Sequence, residues 1–240
     1  MPPQFITDVD QGSIEWLKLR RGKATASNFH RIVTEVKGEY SAQAGKYARE
    51  VAVQRLCDED TEQAIGHLKP VERGNILEAD AAAHYEKVRG RTTNRIGLII
   101  SEDGTRACSP DLVGTDRLWG CELKCPGGAA HLDYLENDGP GPKYRWQVVG
   151  SILVANFDGW DFMSYHPLMR EVIKTFDRRE YEADLEILDK ALIRFEKNVQ
   201  QWCDVILEKG FIEPVGHMKH RTAEEWAKLE KADPDMWAIG

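Results

Sequence analysis

Cys108-Ser109-Pro110-Asp111-Leu112-Val113-Gly114 and, after a polar turn, Trp119-Gly120-Cys121-Glu122-Leu123-Lys124-Cys125-Pro126 read together as strands folded back on each other around Arg117. Side chains alternate faces along a strand, so Glu122 and Lys124 project the same way while Leu123 packs behind them. Asp111 enters this hairpin eleven residues before Glu122, and Pro110 bends the chain just ahead of it. Two carboxylates and an ammonium therefore converge. Carboxylate oxygens suit a hard divalent cation such as Mg²⁺, which keeps several waters and takes one or two carboxylates plus substrate phosphates. The lysine would polarise a metal-bound water or neutralise charge developing on a phosphate under in-line attack. Such a spacing also arises by chance. What distinguishes this one is the apolar strand around Lys124, where a charge is costly unless it is paired or used.

Outward toward the amino end, Thr93–Ser101 reads as one strand and Arg106–Ser109 as the next, with Glu102-Asp103-Gly104-Thr105 as the turn. Before them a helix from about Val71 to Arg89 carries Glu78 beside Ala79, Ala81, Ala82 and Ala83, small residues that let a helix approach a sheet. Glu78 is either a third carboxylate of the site or an exposed helical glutamate. Residues 42–57 form an amphipathic helix through Tyr47, Val51, Val53 and Leu56, and the acidic connection Asp58-Glu59-Asp60 reads as a solvated loop. Ser13 caps a short helix bearing Trp16 and Leu19 that ends near Gly22. A second helix is expected from Lys23 to Val33. Thr25 or Ser27 at its start, just after a basic cluster, either caps it or cradles a phosphate, and the two roles are compatible.

Beyond Pro126, a variable segment rich in Gly and Pro leads into a helix over Lys143–Asn156 that places Gln147 and Ser151 four apart on one face. The Gln147 amide either faces solvent or reaches the site to hold a phosphate or the attacking water. Trp160–His166 and Val172–Asp177 read as an antiparallel edge pair. A long helix, Tyr181–Glu208, has Leu185, Leu188, Leu192, Phe195, Val199 and Trp202 at helical spacing, a packing face. The tail ends in a helix with a capping box at Thr222–Glu225.

With 240 residues, 42% of them hydrophobic and 30% charged, the chain is long enough for one sizeable core. The expected organisation is a single domain over 1–240, with an irregular arm at 1–12 and a C-terminal extension at 213–240. No apolar run approaches a bilayer-spanning length, and the first residues do not read as a secretory leader, so a cytoplasmic protein is expected. Five cysteines without regular spacing argue against a disulfide framework, and Cys121 and Cys125 read as small core residues. Neither a phosphate-binding Gly-rich loop followed by Lys nor a zinc-type ligand set is present. The net charge of -8 runs against a nucleic-acid partner, yet Lys18, Arg20, Arg21 and Lys23 crowd together and acidic residues gather in the last third. A basic inner surface under an acidic exterior reconciles the two.

Five ordered blocks carry a resemblance: Trp16-x-x-x-Arg20-x-Gly22-x-x-Thr25-Ala26-Ser27, Gly74-x-x-x-Glu78, Cys108-Ser109-Pro110-Asp111, Glu122-Leu123-Lys124-Cys125-Pro126, and Gln147 followed by Tyr165-x-Pro167. From about Gly12 to Phe176 the chain resembles the bacteriophage lambda exonuclease group, the YqaJ-like viral recombinase nucleases, within the restriction-endonuclease-like superfamily. The resemblance implies an α/β (α+β) fold with a restriction-endonuclease-like core, a central mixed sheet flanked by helices and added helices at both ends. It implies that Asp111, Glu122 and the Leu123 carbonyl ligate metal, with Glu78 assisting at a second site, Lys124 activating water and Gln147 supporting the site. Arg20 would meet a 5′ phosphate, aided by Ser27, Ser109 and Thr25. Two Mg²⁺ ions, with Mn²⁺ as a substitute, duplex DNA ends with a 5′ phosphate, a homotrimeric ring and a single-strand annealing protein complete the implied picture. The protein would then be a phage or prophage exonuclease working 5′ to 3′ in a bacterial host. One departure stands out: many superfamily members have a Tyr where this chain has Ser151.

Two other readings fit the same core. One is an endonuclease, restrictive or junction-cutting; the other is a non-catalytic module that binds DNA ends. An iron-sulfur nuclease is disfavoured because the cysteines lack the clustering that a cluster needs.

Overall fold

A computed structural model describes residues 2–57 and 69–211. In chain order the elements are β1 (Gln4–Ile6), α1 (Ile14–Arg20), β2 (Ala24–Thr25), a 3-10 turn (Ala26–Arg31), α2 (Ala44–Cys57), α3 (Lys69–Arg89), β3 (Thr93–Asn94) and β4 (Leu98–Ile100). There follow β5 (Arg106–Cys108), β6 (Leu112–Gly114), β7 (Trp119–Lys124), α4 (Gly128–Glu136), α5 (Pro142–Ala155), β8 (Gly159–Ser164), β9 (Val172–Asp177) and α6 (Glu182–Glu208). The chain divides into two compact units, Met1–Asp204 and Val205–Gly240. Everything from β1 to the greater part of α6 belongs to the first. The expected capping box at Thr222–Glu225, the extension at 213–240 and the acidic loop after Cys57 lie outside the described residues.

The class is the mixed α/β fold expected, with the strands shared between two mixed sheets. One runs β1-β4-β5-β2 and the other β3-β6-β7-β8-β9. The hairpin at the centre is present, with Leu112 opposite Cys121. Parallel β8 lies against β7 in register from Trp119–Gly159 to Lys124–Ser164, and β9 closes the sheet antiparallel. The supposed edge pair is thus half interior, since β8 is covered on both sides. Its residues are buried throughout, because α3 packs on one face of the sheet there and α5 on the other.

Packing decides the face each strand residue takes. Leu123, Cys121, Leu112 and Met163 form one cluster with Ala81 and Tyr85 of α3, so the small residues on that helix do let it approach the sheet. Each large apolar side chain so buried contributes roughly 1.5–3 kcal/mol. Glu122 and Lys124 are driven to the opposite face, toward α5. That helix is set by a close approach: a Cβ at Gly150 would fall 2.2 Å from the Phe29 ring of the 3-10 turn. Arg145 then ties α5 to α6 through a bidentate pair with buried Asp184, 2.8 and 2.5 Å. The apolar stripe of α6 is buried as expected from Leu185 to Val199, and Trp202 is half-buried under the Arg49 guanidinium.

Four local expectations need correction. The arm at 1–12 is not wholly irregular: Gln4–Ile6 pairs antiparallel with Leu98–Ile100. The strand expected over Thr93–Ser101 is two strands in different sheets. It breaks at Gly97, whose added Cβ would sit 2.2 Å from the Val9 carbonyl oxygen, so the amino-terminal arm occupies the space a continuous strand would need. Lys23–Val33 is not an α-helix: Ala24–Thr25 pairs parallel with Arg106–Ala107 before a single 3-10 turn begins. Finally, the segment after Pro126 contains helix α4, docked by the buried His131.

Candidate active site

The β6–β7 register sets the site. Continued past Leu112–Cys121, it places Asp111 opposite Glu122 and Pro110 opposite Leu123. The Lys124 carbonyl accepts from the Tyr165 N–H beyond β8, so the backbone polar groups of Leu123 point the other way, toward Asp111. Proline has no N–H, so it cannot donate to the Leu123 carbonyl as a strand partner would. Its own carbonyl is drawn off instead by the Gln11 amide, 2.8 Å away. The Leu123 N–H donates to Asp111 Oδ2 at 2.6 Å. One imino acid thus interrupts the ladder where a carboxylate and a main-chain carbonyl come together.

The three charged groups meet as the alternation requires. Glu122 is buried, and its Oε1 accepts from the Lys124 ammonium. Burial and then the Glu122 carboxylate push the Asp111 carboxyl up to about 7, against the opposing pull of Lys124 and the Leu123 N–H. Burial works to lower the Lys124 ammonium, but Glu122 and Asp111 outweigh it and hold that group above its ordinary range. Glu78 also contributes to the charge that raises Asp111, yet its own Oε1 is taken by Arg95 at 2.8 Å. With Glu122 and Glu78 both ion-paired, the described residues contain no group of three or more His, Cys, Asp or Glu poised around a metal position.

Helix α5 covers this face. Tyr144, three residues before Gln147, lies 5.9 Å from the Lys124 ammonium, measured to the ring centre. Ser151, four residues after Gln147, is buried and reaches the Cys108 thiol while its hydroxyl donates to the Gln147 carbonyl at 2.9 Å. Gln147 therefore lies on the helix face between Lys124 and Cys108. Ser151 acts as a packing position that leaves room for β5. Cys108 and Cys121 are buried thiols pushed up by desolvation, consistent with core residues.

A second constellation forms beside Asp111. The Arg20 guanidinium stacks on Trp16, 4.0 Å from the ring centre, and the Trp16 indole N–H donates to Ser109 Oγ at 3.1 Å and to the Gly97 carbonyl at 3.0 Å. Ser13 caps α1, with Trp16 N–H donating to its Oγ, so the capping residue also fixes where Arg20 emerges. Thr25 is buried with its N–H donating to the Tyr47 hydroxyl at 3.0 Å; its Oγ1 accepts from Asn28 and lies 3.4 Å from the exposed Ser27 hydroxyl. Thr25 makes no side-chain cap, so the capping part of the expectation fails there. Arg20 and Ser109 are brought together through Trp16; Thr25 and Ser27 are brought together with each other. Reading the sequence missed Tyr144, Tyr134, His131 and Gln11. The three-residue spacing of Tyr144 and Gln147 was the one available signal, and nothing local marks Gln11.

Solved structures of known proteins share this fold. The alkaline exonuclease LHK-Exo from Laribacter hongkongensis superposes with a TM-score of 0.66 at 25% identity, over 82% of this chain and 99% of that one. The same protein in complex with dAMP gives 0.66 at 24% identity, with the same coverage of both chains. A phage-related exonuclease from Haemophilus somnus 129PT gives 0.59 at 18% identity, over 80% and 98%. No curated protein matches. The fold is therefore that of the lambda-exonuclease-like nucleases. The YqaJ-like viral recombinase domain matches residues 15–158, more than half of the chain and the whole of the hairpin, the Arg20 corner and α5, so the chain belongs to the family of YqaJ-like viral recombinase domains.

Proposed function

We propose that the protein is a Mg²⁺-dependent exonuclease that degrades duplex DNA processively from 5′ ends, releasing 5′-mononucleotides and leaving 3′ single strands for recombination by annealing. The observation that carries the reading is the meeting of Asp111, Glu122 and Lys124 at a strand position where Pro110 cannot donate to the Leu123 carbonyl. Family membership and the exonuclease named in the 25% identical structure support it.

The residues fit a hard cation. Asp111, Glu122 and the Leu123 carbonyl offer only oxygen; burial first and the Glu122 carboxylate second push Asp111 up to about 7, and a cation would offset both. Glu78 would serve a second ion after releasing Arg95. Asp111, Glu122 and the Leu123 carbonyl would hold a divalent ion, whose chemistry there would be to acidify water and to offset charge on the departing 3′ oxygen. Lys124 directs its ammonium at the nucleophilic water or a phosphate oxygen, and Gln147 orients either from α5. Arg20, Ser109, Ser27 and Thr25 grip the terminal 5′ phosphate, which sets the direction of travel. Each cut then presents the pocket with a new phosphate. A homotrimeric ring and an annealing partner complete the proposal.

The test is digestion of a linear duplex labelled separately at each terminus, with and without Mg²⁺, by the wild type and Asp111→Ala. Metal-dependent mononucleotide release from the 5′-labelled strand alone, absent in the variant, is expected. Linearisation of a covalently closed circle would replace this reading with an endonuclease; binding of ends without release would replace it with a non-catalytic module.

A further inference from the structure

On the site's third side, Lys124 faces a wall of aromatic rings. The β7–β8 register pairs Glu122 with Phe162, which puts the Phe162 ring on the face that carries Glu122 and Lys124. Tyr144 packs on Phe162 with ring centres 5.3 Å apart, and Tyr134 of α4 packs on it at 5.5 Å. The two tyrosines meet edge to face at 6.4 Å.

Helix α4 is fastened for this purpose at the register position of Lys124 itself. Ser164 is the cross-strand partner of Lys124, and its Oγ lies 2.7 Å from Nδ1 of the fully buried His131. The other ring nitrogen lies 2.9 Å from the Arg170 carbonyl. A carbonyl only accepts, so Nε2 donates to it, and Nδ1 and the Ser164 hydroxyl are hydrogen-bonded to each other. Tyr134 stands three residues after His131, on the same face of α4. The histidine clamp therefore determines where the Tyr134 ring falls.

The electrostatics show why such a wall matters. The counter-charges that hold the Lys124 ammonium are Glu122 and Asp111, the two carboxylates assigned above to a cation. A lysine with no other attraction would be repelled from its post when they are engaged. An aromatic face attracts an ammonium within about 6 Å through its quadrupole, carries no net charge and does not compete for a metal. We propose that the Tyr134–Tyr144 pair is a positioning device for Lys124, with the Tyr144 ring as the seat of the ammonium and Tyr134, set by His131, as the brace that holds that ring. The inference rests on the reading of Lys124 as the amine that acts on water or phosphate.

Two readouts test it. In protein labelled at lysine, the Lys124 side-chain signals, assigned through Lys124→Arg, should show a ring-current upfield shift with and without Mg²⁺. Tyr144→Phe should keep that shift and Tyr144→Leu should lose it. On linear duplex, Tyr144→Leu should lower kcat about 10–100-fold with KM for DNA little changed, while Tyr144→Phe stays near wild type. Tyr134→Leu, which removes the bracing ring but keeps the Tyr144 ring, should fall between them. If Tyr144→Leu does not fold, Tyr144→Met removes the ring at similar volume. A lysine signal indifferent to loss of the ring, equal damage from Phe and Leu, or a rise in KM alone would overturn the proposal. Inactive wild type would overturn the nuclease reading, and the lysine signals would still decide on the seat.

Discussion

Two acids on either side of β7, half-buried Asp111 just ahead of β6 and buried Asp161 on β8, have opposite surroundings. Asp161 of β8, on the α3 face, accepts from the Tyr85 hydroxyl, Arg89 Nη2 and the Thr175 hydroxyl, each at 2.7 Å, with Arg91 3.7 Å away. Asp111, at the mouth of the hairpin, accepts a single N–H and shares its surroundings with another carboxylate. Asp161 is a carboxylate whose charge is answered by the fold: it locks the end of α3 onto the sheet. Asp111 is one whose charge is left for something else to answer. Satisfied buried charges rigidify a structure, whereas a poorly answered one is where an activity is placed. Even around Asp161 the balance tips toward cations, since Arg89 Nε and Arg91 Nη1 are buried without hydrogen-bond partners.

Breaking each acid should have contrasting consequences. The largest effect is expected at the site: Lys124→Ala should lower turnover by roughly 10³-fold or more while duplex binding, followed by fluorescence anisotropy, stays within a few-fold. Next in size, Asp161→Ala should cost about 3–5 kcal/mol in urea unfolding, because it strands Arg89 against the sheet. An Asp161→Asn variant that melts like wild type would show that the hydrogen bonds, and not the charge, hold α3. Arg20→Ala should reduce the preference for 5′-phosphorylated over 5′-hydroxyl ends about tenfold, read from initial rates on the two substrates. If the unaltered protein cuts both ends equally, the corner formed by Arg20, Trp16 and Ser109 is not a phosphate pocket. The smallest effect on stability has the opposite sign. Asp111→Asn keeps an acceptor for the Leu123 N–H and removes the repulsion with Glu122, so it should stabilise the metal-free protein by about 1 kcal/mol while abolishing cleavage. It should also erase the rise in melting temperature that Mg²⁺ gives the wild type.

Some of this architecture was legible because strand and helix periodicity are local. The hairpin, the same-face placement of Glu122 and Lys124, the cap at Ser13, α5 and the stripe of α6 all follow from residue spacing, and all are present. Errors fell where a distant segment intervenes. Nothing near Gly97 announces that Val9 will press against it, so one strand was expected where two sheets part. The run from Lys23 has the composition of a helix start, yet pairing with β5 captures Ala24 and Thr25 first. Helix α4 hides in a segment whose Gly and Pro content marks a loop, and what holds it is a histidine bonded to β8 and to the Arg170 carbonyl.

The sequence by itself determined which groups share a face, because a Glu-x-Lys strand places a carboxylate and an amine together by alternation and the hairpin brings the acid after proline back to them. What only the tertiary structure decided is how each is treated. Register turns Pro110 against the Leu123 carbonyl, Trp16 reaches Ser109 across more than ninety residues and carries Arg20 on its ring, and rings from α4 and β8 pack beside the Tyr144 ring that neighbours Lys124. Those arrangements depend on contacts between segments far apart in the chain, and such contacts leave no periodic trace in it.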